Sequence, residues 1–255
     1  RVTIGRDRLI LRRCVRRGRG MVYTIALLPG DGIGPEVITE AVRVLEAVGR
    51  RYRHTFLFRE GPVGGQAIDD CGTALPGETL QLTRVCDAVL FGAVGGPKWN
   101  YPEANTRPED GLLALRKSLS LFANLRPVKV FPQLVDSSPL KPSLLRGVDI
   151  LVIRELTGGL YFGKPKRRWN TKRGRRGLDT MRYTEQEVER VLRVGFELAR
   201  TRRRKLTSVD KANVLESSAL WRTVAGDIAR DFPNIQFESI LVDAFAMKLI
   251  QTPQD

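Results

Sequence analysis

Three arginines stand near the ends of apolar stretches and could bind an anionic ligand. Arg116 closes GLLALR, Arg126 follows FANL, and Arg154 follows ILVI with Glu155 beside it. Because a guanidinium keeps its charge and binds a carboxylate through two parallel hydrogen bonds, arginines from separate elements suit a dicarboxylate. In a chain with this many arginines, each one taken alone is better explained as a surface or structural residue.

Tyr161 and Lys211 are the candidates for acid–base chemistry. Tyr161 follows two glycines in TGGLYFG, where the backbone can approach a ligand closely. Lys211 directly follows the strand-like run TSVD, and an amine held there can exchange a proton with a bound substrate. Taken alone, each would more commonly serve packing or the surface.

Asp243 is the candidate metal ligand. The apolar run Ile240-Leu241-Val242 before it is typical of a buried strand, which would deliver the carboxylate to a site. Carboxylate oxygens are the donors that Mg²⁺ and Mn²⁺ prefer. One aspartate does not hold a divalent cation well, and the twelve residues that follow offer no evident partner.

A glycine-rich loop, LLPGDGIGPE, follows a predicted strand and opens a predicted helix. Dinucleotide-binding loops occupy the same position, but the Rossmann fingerprint requires G-x-G-x-x-G. Here the glycines are Gly30, Gly32 and Gly34, with Pro35 next, so the fingerprint fails. The loop alone indicates only a tight turn before a helix.

The elements that would position these residues alternate between apolar runs and helical patterns, which predicts an α/β architecture. The clearest helix is Glu185–Arg204, where Thr184 and Glu187 form a capping box. Strands are expected at Tyr23–Pro29, Asp87–Val94, Pro127–Phe131, Asp149–Arg154, Leu206–Asp210 and in QFESILVD, which ends at Asp243.

Composition is that of an ordinary globular protein, with 42% hydrophobic and 28% charged residues in 255. No apolar run approaches the ~20 residues that span a bilayer, so we expect no membrane partner. The cysteines Cys14, Cys71 and Cys86 have no metal-type or paired spacing. They indicate free thiols in a reducing compartment, and we expect a cytoplasmic location.

Positive charge is concentrated in three segments. Residues 1–20 hold eight arginines and one aspartate, or +7 of the net +15, which leaves +8 for the rest. This Arg-rich stretch lacks the serines of a transit peptide, so we interpret it as a disordered extension or an upstream stretch translated in frame. The segment 164–176 holds eight Lys or Arg residues around Trp169, and a second cluster, RTRRRK, ends a helix. We interpret them as a solvated loop and a helix C-terminus, where cations are favoured.

Five motifs follow one another in order: LPGDGIGPE, GAVGGPKW, GLLALRKSLSLFANLRP, RELTGGLYFG and SVDKANVLESS. The series resembles the β-decarboxylating dehydrogenase family that contains isocitrate and isopropylmalate dehydrogenases, and the resemblance covers Met21 to Asp255. It implies an α/β, isopropylmalate dehydrogenase-like two-domain fold, which is not a Rossmann fold. Residues 21–121 would be the N-terminal part of a first, cofactor-side domain, and residues 122–255 a second, dimerising domain.

The activity implied by this resemblance is the NAD-dependent oxidative decarboxylation of 3-isopropylmalate to 2-oxoisocaproate and CO₂ in leucine biosynthesis. A homodimer with shared active sites and a Mg²⁺ or Mn²⁺ ion are implied with it. Arg116, Arg126 and Arg154 match the family's substrate-carboxylate arginines. Lys211 matches the residue that helps to deprotonate the substrate hydroxyl, and Tyr161 the one that protonates the carbon left after decarboxylation.

Specificity and cofactor positions follow from the same resemblance. Leu112 and Leu113 match apolar positions that meet the isopropyl group, and Glu109 matches the acidic residue near the nicotinamide. Asn213 and Val214 match positions that line the neighbouring subunit's site. Asp243 matches a residue that contacts both metal and substrate and is delivered, with Lys211, across the dimer interface.

One departure from the family concerns length. The family's chain runs on for about a hundred further residues, with two more metal aspartates and the adenosine-binding loop, so the C-terminal part of the first domain would be missing. We therefore expect the 255-residue chain to be incomplete and an inefficient dehydrogenase. The alternatives are a related enzyme acting on malate, tartrate or homoisocitrate, and a non-catalytic remnant that dimerises or binds nucleic acid.

Overall fold

The computed structural model describes residues 2–5, 20–101 and 105–254. The chain divides into two compact units: an N-terminal unit, Leu9–Ser120, and a C-terminal unit, Leu121–Asp255 together with Arg1–Arg8. Within the extension expected at residues 1–20, residue 1 and residues 6–19 lie outside the described residues. Val2–Gly5 is a strand, β1, of the C-terminal unit.

The N-terminal unit is built on a three-stranded parallel sheet in the order β3-β2-β4. Its elements, in chain order, are β2 (Val22–Gly30), α1 (Gly34–Tyr52), β3 (Thr55–Glu60), α2 (Gly65–Cys71), α3 (Gly77–Val85), β4 (Ala88–Ala93) and α4 (Pro108–Ser118).

The central strand β2 is apolar on both faces. Ile25 and Leu27 pack with Ile38 of α1, whereas Leu28 packs with Leu115 of α4. Successive side chains of a strand point to opposite faces, so a continuous apolar run is what a strand covered on both sides requires. The predicted first strand and the helix behind the glycine loop are thereby confirmed.

The C-terminal unit contains a sheet in the order β1-β5-β6, a parallel pair β10-β9, and a separate hairpin β7-β8. Its remaining elements, in chain order, are β5 (Leu121–Lys129), α5 (Pro142–Leu145), β6 (Asp149–Glu155), β7 (Arg167–Thr171), β8 (Gly174–Leu178), α6 (Glu185–Arg200), β9 (Lys205–Asp210), α7 (Glu216–Ala229), β10 (Gln236–Leu241) and α8 (Val242–Gln251).

Helix α6 organises the core of this unit. Its capping box is formed as predicted, because the Thr184 side chain accepts from the Glu187 backbone N–H and the Glu187 carboxylate accepts from the Thr184 N–H. The buried stripe that includes Val188 and Phe196 packs against α7 through residues such as Ile228. Apolar residues at helical spacing thus form the interface that the sequence indicated.

Several predicted boundaries differ from the structure. Strand β5 spans Leu121–Lys129 rather than the predicted Pro127–Phe131. Helix α6 ends at Arg200 rather than Arg204, and the chain then turns, with a left-handed backbone at Arg204 (φ 55°). Strand β10 ends at Leu241, so Asp243 lies in the first turn of α8 and not at a strand end.

The predicted loop at 164–176 instead forms most of the β7-β8 hairpin, Arg167–Leu178, which reverses at Gly174 with φ 109°, a backbone conformation accessible to glycine. Its strands are mostly exposed, so they lack the apolar alternation by which strands are recognised.

The two free cysteines in the described residues are Cys71, exposed, and Cys86, buried. Within the described ranges, no helix is both long enough and apolar enough to cross a membrane.

Candidate functional site

Four predicted site residues lie along one face of α4. Glu109, Leu112, Leu113 and Arg116 are spaced i, i+3, i+4 and i+7, which places them on neighbouring turns of the same side of a helix. Glu109 is exposed, and the other three are partly exposed. This face therefore presents a carboxylate at one end, a guanidinium at the other and two leucines between them.

The opposite side of α4 packs into the N-terminal unit. Pro108, Gly111 and Leu115 are the buried residues of the helix. A Cβ atom at Gly111 would lie 2.3 Å from the carbonyl oxygen of Ala74, so the helix packs against that backbone too closely for any residue but glycine. The position of the site-bearing face is fixed by this contact.

Asp31, at the carboxyl end of β2, ties the neighbouring loops together. Its carboxylate is 5% exposed and accepts hydrogen bonds from the backbone N–H groups of Gly65 at 2.7 Å, Gln66 at 2.8 Å and Gly95 at 2.8 Å. Glu109 lies beside the same loop, since a Cβ at Gly95 would be 2.9 Å from its Oε1. The sequence reasoning missed Asp31, although an aspartate between two glycines at a strand end was a usable signal.

In the C-terminal unit, the β5-β6 ladder carries two of the predicted arginines. Asn124 lies opposite Arg154 in the antiparallel register, and Arg126 is two residues along β5, so all three belong to one face of the ladder. Arg126 Nε donates to Asn124 Oδ1 at 2.6 Å, and the Arg154 guanidinium lies 4.8 Å from the centre of the Tyr161 ring. Buried Asn124, which holds Arg126 in place, was not identified from the sequence.

Lys211 and Asp243 come together at the carboxyl ends of two parallel strands. Asp210 lies opposite Leu241, so the residues just beyond β9 and β10 are neighbours. Lys211 Nζ donates to Asp243 Oδ1 at 2.7 Å. This hydrogen bond, with a backbone hydrogen bond and the lysine charge, lowers the pKa of Asp243 below its ordinary value. The pair therefore offers an ionised carboxylate beside an amine.

The residue before Lys211 anchors this corner. Asp210 has a side chain 2% exposed and accepts two hydrogen bonds from Arg222, at 2.9 Å from Nε and 2.7 Å from Nη2. It also accepts from the Ala212 N–H at 2.9 Å. Asn213, two residues beyond Lys211, is exposed in the turn that follows. Asp210 and Arg222 escaped the sequence reasoning because a single Asp or Arg in a helix-flanking position carries no spacing signal.

Asp243 could be one ligand of a divalent cation. Its exposed, ionised carboxylate suits Mg²⁺ or Mn²⁺ as one ligand. Within the part of the chain that the structure describes, no group of three or more His, Cys, Asp or Glu residues could hold a metal ion. The described residues of one chain thus supply a single candidate ligand and not a complete site.

A cavity of about 470 Å³ in the C-terminal unit lies apart from these residues. It is lined by Asp149–Ile153 of β6 and Lys205–Val209 of β9, with α6 and α8 covering it. None of the predicted site residues lines it. Its wall is mostly apolar, with charged side chains such as Arg202 and Lys248 among the lining residues.

Comparisons with known proteins identify what the chain resembles. The family model described as isocitrate/isopropylmalate dehydrogenase matches residues 24–255. Among curated relatives, the 3-isopropylmalate dehydrogenase of Dehalococcoides mccartyi is 56% identical over 234 residues, covering 91% of this chain and 64% of the relative. The enzyme of the same name from Bacillus subtilis is 55% identical with the same coverage. The chain thus spans about 64% of the length of these relatives.

Solved structures give the same picture. An isocitrate dehydrogenase from Methylococcus capsulatus superposes with a TM-score of 0.76 at 31% identity, covering 91% of this chain and 64% of that one. A β-decarboxylating dehydrogenase from Thermococcus kodakarensis gives a TM-score of 0.67 at 33% identity, covering 91% and 61%. The predicted two-domain α/β fold is confirmed by these likenesses.

Proposed function

The chain belongs to the isocitrate/isopropylmalate dehydrogenase family, and from this membership we propose that it serves the NAD-dependent oxidative decarboxylation of 3-isopropylmalate. The products are 2-oxoisocaproate, CO₂ and NADH, and the pathway is leucine biosynthesis. The curated relatives that are most informative carry the name 3-isopropylmalate dehydrogenase. A cytoplasmic location is part of the proposal, in line with the free thiols of Cys71 and Cys86.

The observation that carries the choice of substrate is the partly exposed face of α4 that bears Leu112, Leu113 and Arg116. Leu112 and Leu113 offer an apolar surface to an isopropyl group, and Arg116 on the same face offers a cation to a carboxylate. A substrate with a third carboxylate or an extra hydroxyl would leave that polar group against leucine, without a hydrogen-bond partner. Burying such a group costs about 1–3 kcal/mol. This supports isopropylmalate over isocitrate or tartrate. Malate carries neither group, but it lacks the isopropyl side chain that the leucines would cover, so it would bury less apolar surface.

Substrate binding is assigned to the three arginines. Arg116, Arg126 and Arg154 would each bind a carboxylate oxygen of the substrate, and Asn124 holds Arg126 Nε in one orientation. Because guanidinium groups stay charged, this binding would persist across the physiological pH range.

Proton transfer is assigned to Lys211 and Tyr161. Lys211 would help to remove the proton from the substrate hydroxyl while hydride leaves the adjacent carbon for NAD⁺. Tyr161 would give its phenolic proton to the carbon that loses CO₂. Arg154 lies against the Tyr161 ring, so a carboxylate-binding group and the proton donor are held in contact. Positioned groups of this kind contribute about 10²–10⁴-fold to rate.

The cofactors are proposed from the same set of residues. Glu109 and the Gly95 loop lie at the carboxyl ends of parallel strands, where open α/β sheets bind their ligands, and this supports NAD there. Asn213 is assigned to cofactor binding in a neighbouring subunit. Asp243 would be one oxygen ligand of Mg²⁺ or Mn²⁺, a Lewis acid that polarises the substrate oxygens. The described residues do not complete the site of this ion.

A homodimer with shared sites is also proposed. Large apolar side chains are exposed at Val214 (68%), just beyond Lys211, and along α8 at Val242 (47%), Met247 (61%) and Ile250 (56%). Exposed apolar side chains grouped on one helix support a protein–protein interface there. Sedimentation of the 255-residue chain at micromolar concentration should give a dimer, and a monomer would count against the assignment.

The activity can be tested without assuming what lies beyond the chain. In the Dehalococcoides mccartyi relative, the matched segment would be replaced by the matched residues of this chain, which are 56% identical to it. The chimera should form NADH from 3-isopropylmalate in the presence of Mg²⁺ or Mn²⁺. Lys211→Met and Tyr161→Phe should lower kcat by about 10²-fold or more.

Controls separate the alternatives. Isocitrate, homoisocitrate, malate and tartrate form the substrate panel, and a folded chimera that prefers one of them would refute the choice of isopropylmalate. The 255-residue chain assayed alone tests the expectation that it is an inefficient dehydrogenase. Substantial isopropylmalate-dependent NADH formation by that chain would contradict it.

A further inference from the structure

The turn that carries Tyr161 is held by a buried carboxylate at the end of β6. The side chain of Glu155 is 1% exposed. It accepts from the backbone N–H of Thr157 at 2.9 Å, from the Thr157 hydroxyl at 2.8 Å and from the N–H of Gly158 at 2.7 Å. One side chain therefore fixes the first two residues of the turn from Thr157 to Tyr161.

A cation from α6 completes this group. Arg190 Nη2 donates to Glu155 Oε1 at 2.6 Å and also to the Thr157 hydroxyl. The guanidinium lies 4.8 Å from the centre of the Phe122 ring, and its buried Nε has no hydrogen-bond partner among the described residues. Since an unpaired buried donor is costly, fold stability alone does not account for this arrangement.

The other side of the turn is closed by an aromatic ring. A Cβ atom would come within 2.9 Å of Tyr183 at Gly158 and within 2.3 Å of the Tyr183 hydroxyl at Gly159, where φ is 70°. The Gly159 N–H donates to the Arg182 carbonyl at 2.9 Å. Burial, followed by the charge of Glu155, raises the pKa of Tyr183. The turn is thus held between a carboxylate and a neutral phenol, and only glycine fits there.

Tyr161 leaves this turn exposed, at 48%, and meets Arg154. Arg154 precedes Glu155 in β6, so its side chain belongs to the opposite face of the strand. The end of β6 therefore has two effects. It places Arg154 on one face of the strand, and through Glu155 it fixes the turn that brings Tyr161 into contact with Arg154.

We propose that Glu155 is a positioning residue for Tyr161: with Arg190 and Thr157, it fixes the turn so that the phenol is held against Arg154. The proposal rests on the proposed function only in that Tyr161 is the proton donor there. Replacing Glu155 by a neutral group should loosen the turn at Thr157 and release the Tyr161 ring from Arg154, while the core around α6 remains packed.

Fluorine NMR of the 255-residue chain labelled with 3-fluorotyrosine measures this directly. Tyr161→Phe removes the Tyr161 resonance and so identifies it. Arg154→Met then measures how far the position of that resonance depends on Arg154. In the wild-type chain, Arg154→Met should shift the Tyr161 resonance. In a Glu155→Gln background, the same substitution should leave it unmoved, because the contact is already lost.

Matched variants separate positioning from a general loss of structure. Glu189→Gln removes an exposed α6 carboxylate that pairs with Arg193, and it should behave as wild type. If Glu155→Gln does not fold, Thr157→Val deletes only the bridging hydroxyl, and Thr157→Ser restores it. An Arg154-dependent Tyr161 shift that survives in Glu155→Gln or, where that variant does not fold, in Thr157→Val overturns the proposal.

Kinetics of the chimera give a second readout. Thr157→Val should lower kcat about tenfold to a hundredfold with little change in KM for isopropylmalate, since misplacing a reacting group costs rate rather than binding. Thr157→Ser should recover most of the loss. If Thr157→Val raises the KM for isopropylmalate by as large a factor as it lowers kcat, the positioning role is overturned. A wild-type chimera without activity would refute the proposed function, while the NMR result would still decide the role of Glu155.

Discussion

Replacing Asp31 by asparagine should destabilise the N-terminal unit more than any other single-atom change near its loops. The carboxylate accepts two backbone hydrogen bonds on Oδ2, from Gly65 and Gly95, and one on Oδ1, from Gln66. An asparagine side chain has one acceptor oxygen. Its best orientation keeps the two bonds to Gly65 and Gly95 and turns its NH₂ group toward the Gln66 N–H.

The size of the effect follows from these three bonds. Hydrogen bonds to a charged group contribute about 1.5–3 kcal/mol, against about 0.5–1.5 for neutral pairs, so the two retained bonds lose roughly 1 kcal/mol each. The Gln66 N–H loses its acceptor, which costs about 1 kcal/mol because this residue is exposed enough for water to replace part of the bond. A neutral side chain costs less free energy to bury than a carboxylate, and this difference partly offsets the lost stability. The expected change in the free energy of unfolding is about 2–3 kcal/mol.

Hydrogen exchange in a urea series, followed by mass spectrometry, is the appropriate assay, since a chain with two units does not unfold in one step. Peptides from the N-terminal unit should lose protection at lower urea, and the peptide that contains Gln66 should do so first, because its N–H loses the acceptor. Asp87→Asn is the matched control, because the exposed Asp87 carboxylate accepts a backbone hydrogen bond from Thr24. Equal effects of the two substitutions would refute the reasoning.

Four further outcomes are expected. Lys211→Met should raise the pKa of Asp243 toward its ordinary range in an NMR titration, because the hydrogen bond from Lys211 is the main cause of its lowering. In the wild-type chain, the ionised Asp243 carboxylate contributes stability that is lost as pH falls through its lowered pKa. The variant should lack this pH-dependent contribution. Thr184→Ala should cost about 1 kcal/mol in urea unfolding of the C-terminal unit through loss of the cap. Phe196→Ala should cost about 3–5 kcal/mol there, since the ring is fully buried. Neutralising the basic residues of 167–176 should leave turnover of the chimera unchanged; Lys166 is kept because it donates to the Leu160 carbonyl next to Tyr161. Salt-sensitive DNA or RNA binding lost in that variant would favour the nucleic-acid alternative.

Elements with strong local signals were predictable from the sequence. Helix α6 combines a capping box with an apolar stripe, and both features depend on residues within four positions of one another. The end of β10 was not predictable, because Val242 continues the apolar run by which a strand is recognised while the chain has already entered α8. The hairpin Arg167–Leu178 was missed because its exposed strands are charged on both faces.

Residues that act by themselves were easier to find than residues that hold them. Arg154, Tyr161 and Lys211 stand out as charged or phenolic groups beside apolar runs or glycines. Asp31 acts through backbone N–H groups that only the folded chain brings near, from positions more than thirty residues away. Its place between two glycines was the only local signal. Glu155 acts through the nearby N–H groups of Thr157 and Gly158, but its pairing with Arg190, thirty-five residues away, became visible only in the structure.

Different residues of α4 face the protein interior and the proposed ligand. Pro108, Gly111 and Leu115 meet the interior, and a change at Gly111 would collide with the Ala74 backbone. Leu112 and Leu113 lie on a different side of the helix, are partly buried and belong to neither packed cluster of this unit. Substitutions at these two positions should therefore disturb the core less than a change at Gly111. A lineage could in this way change its ligand preference at a smaller cost in stability than a change on the packed side of α4 would carry.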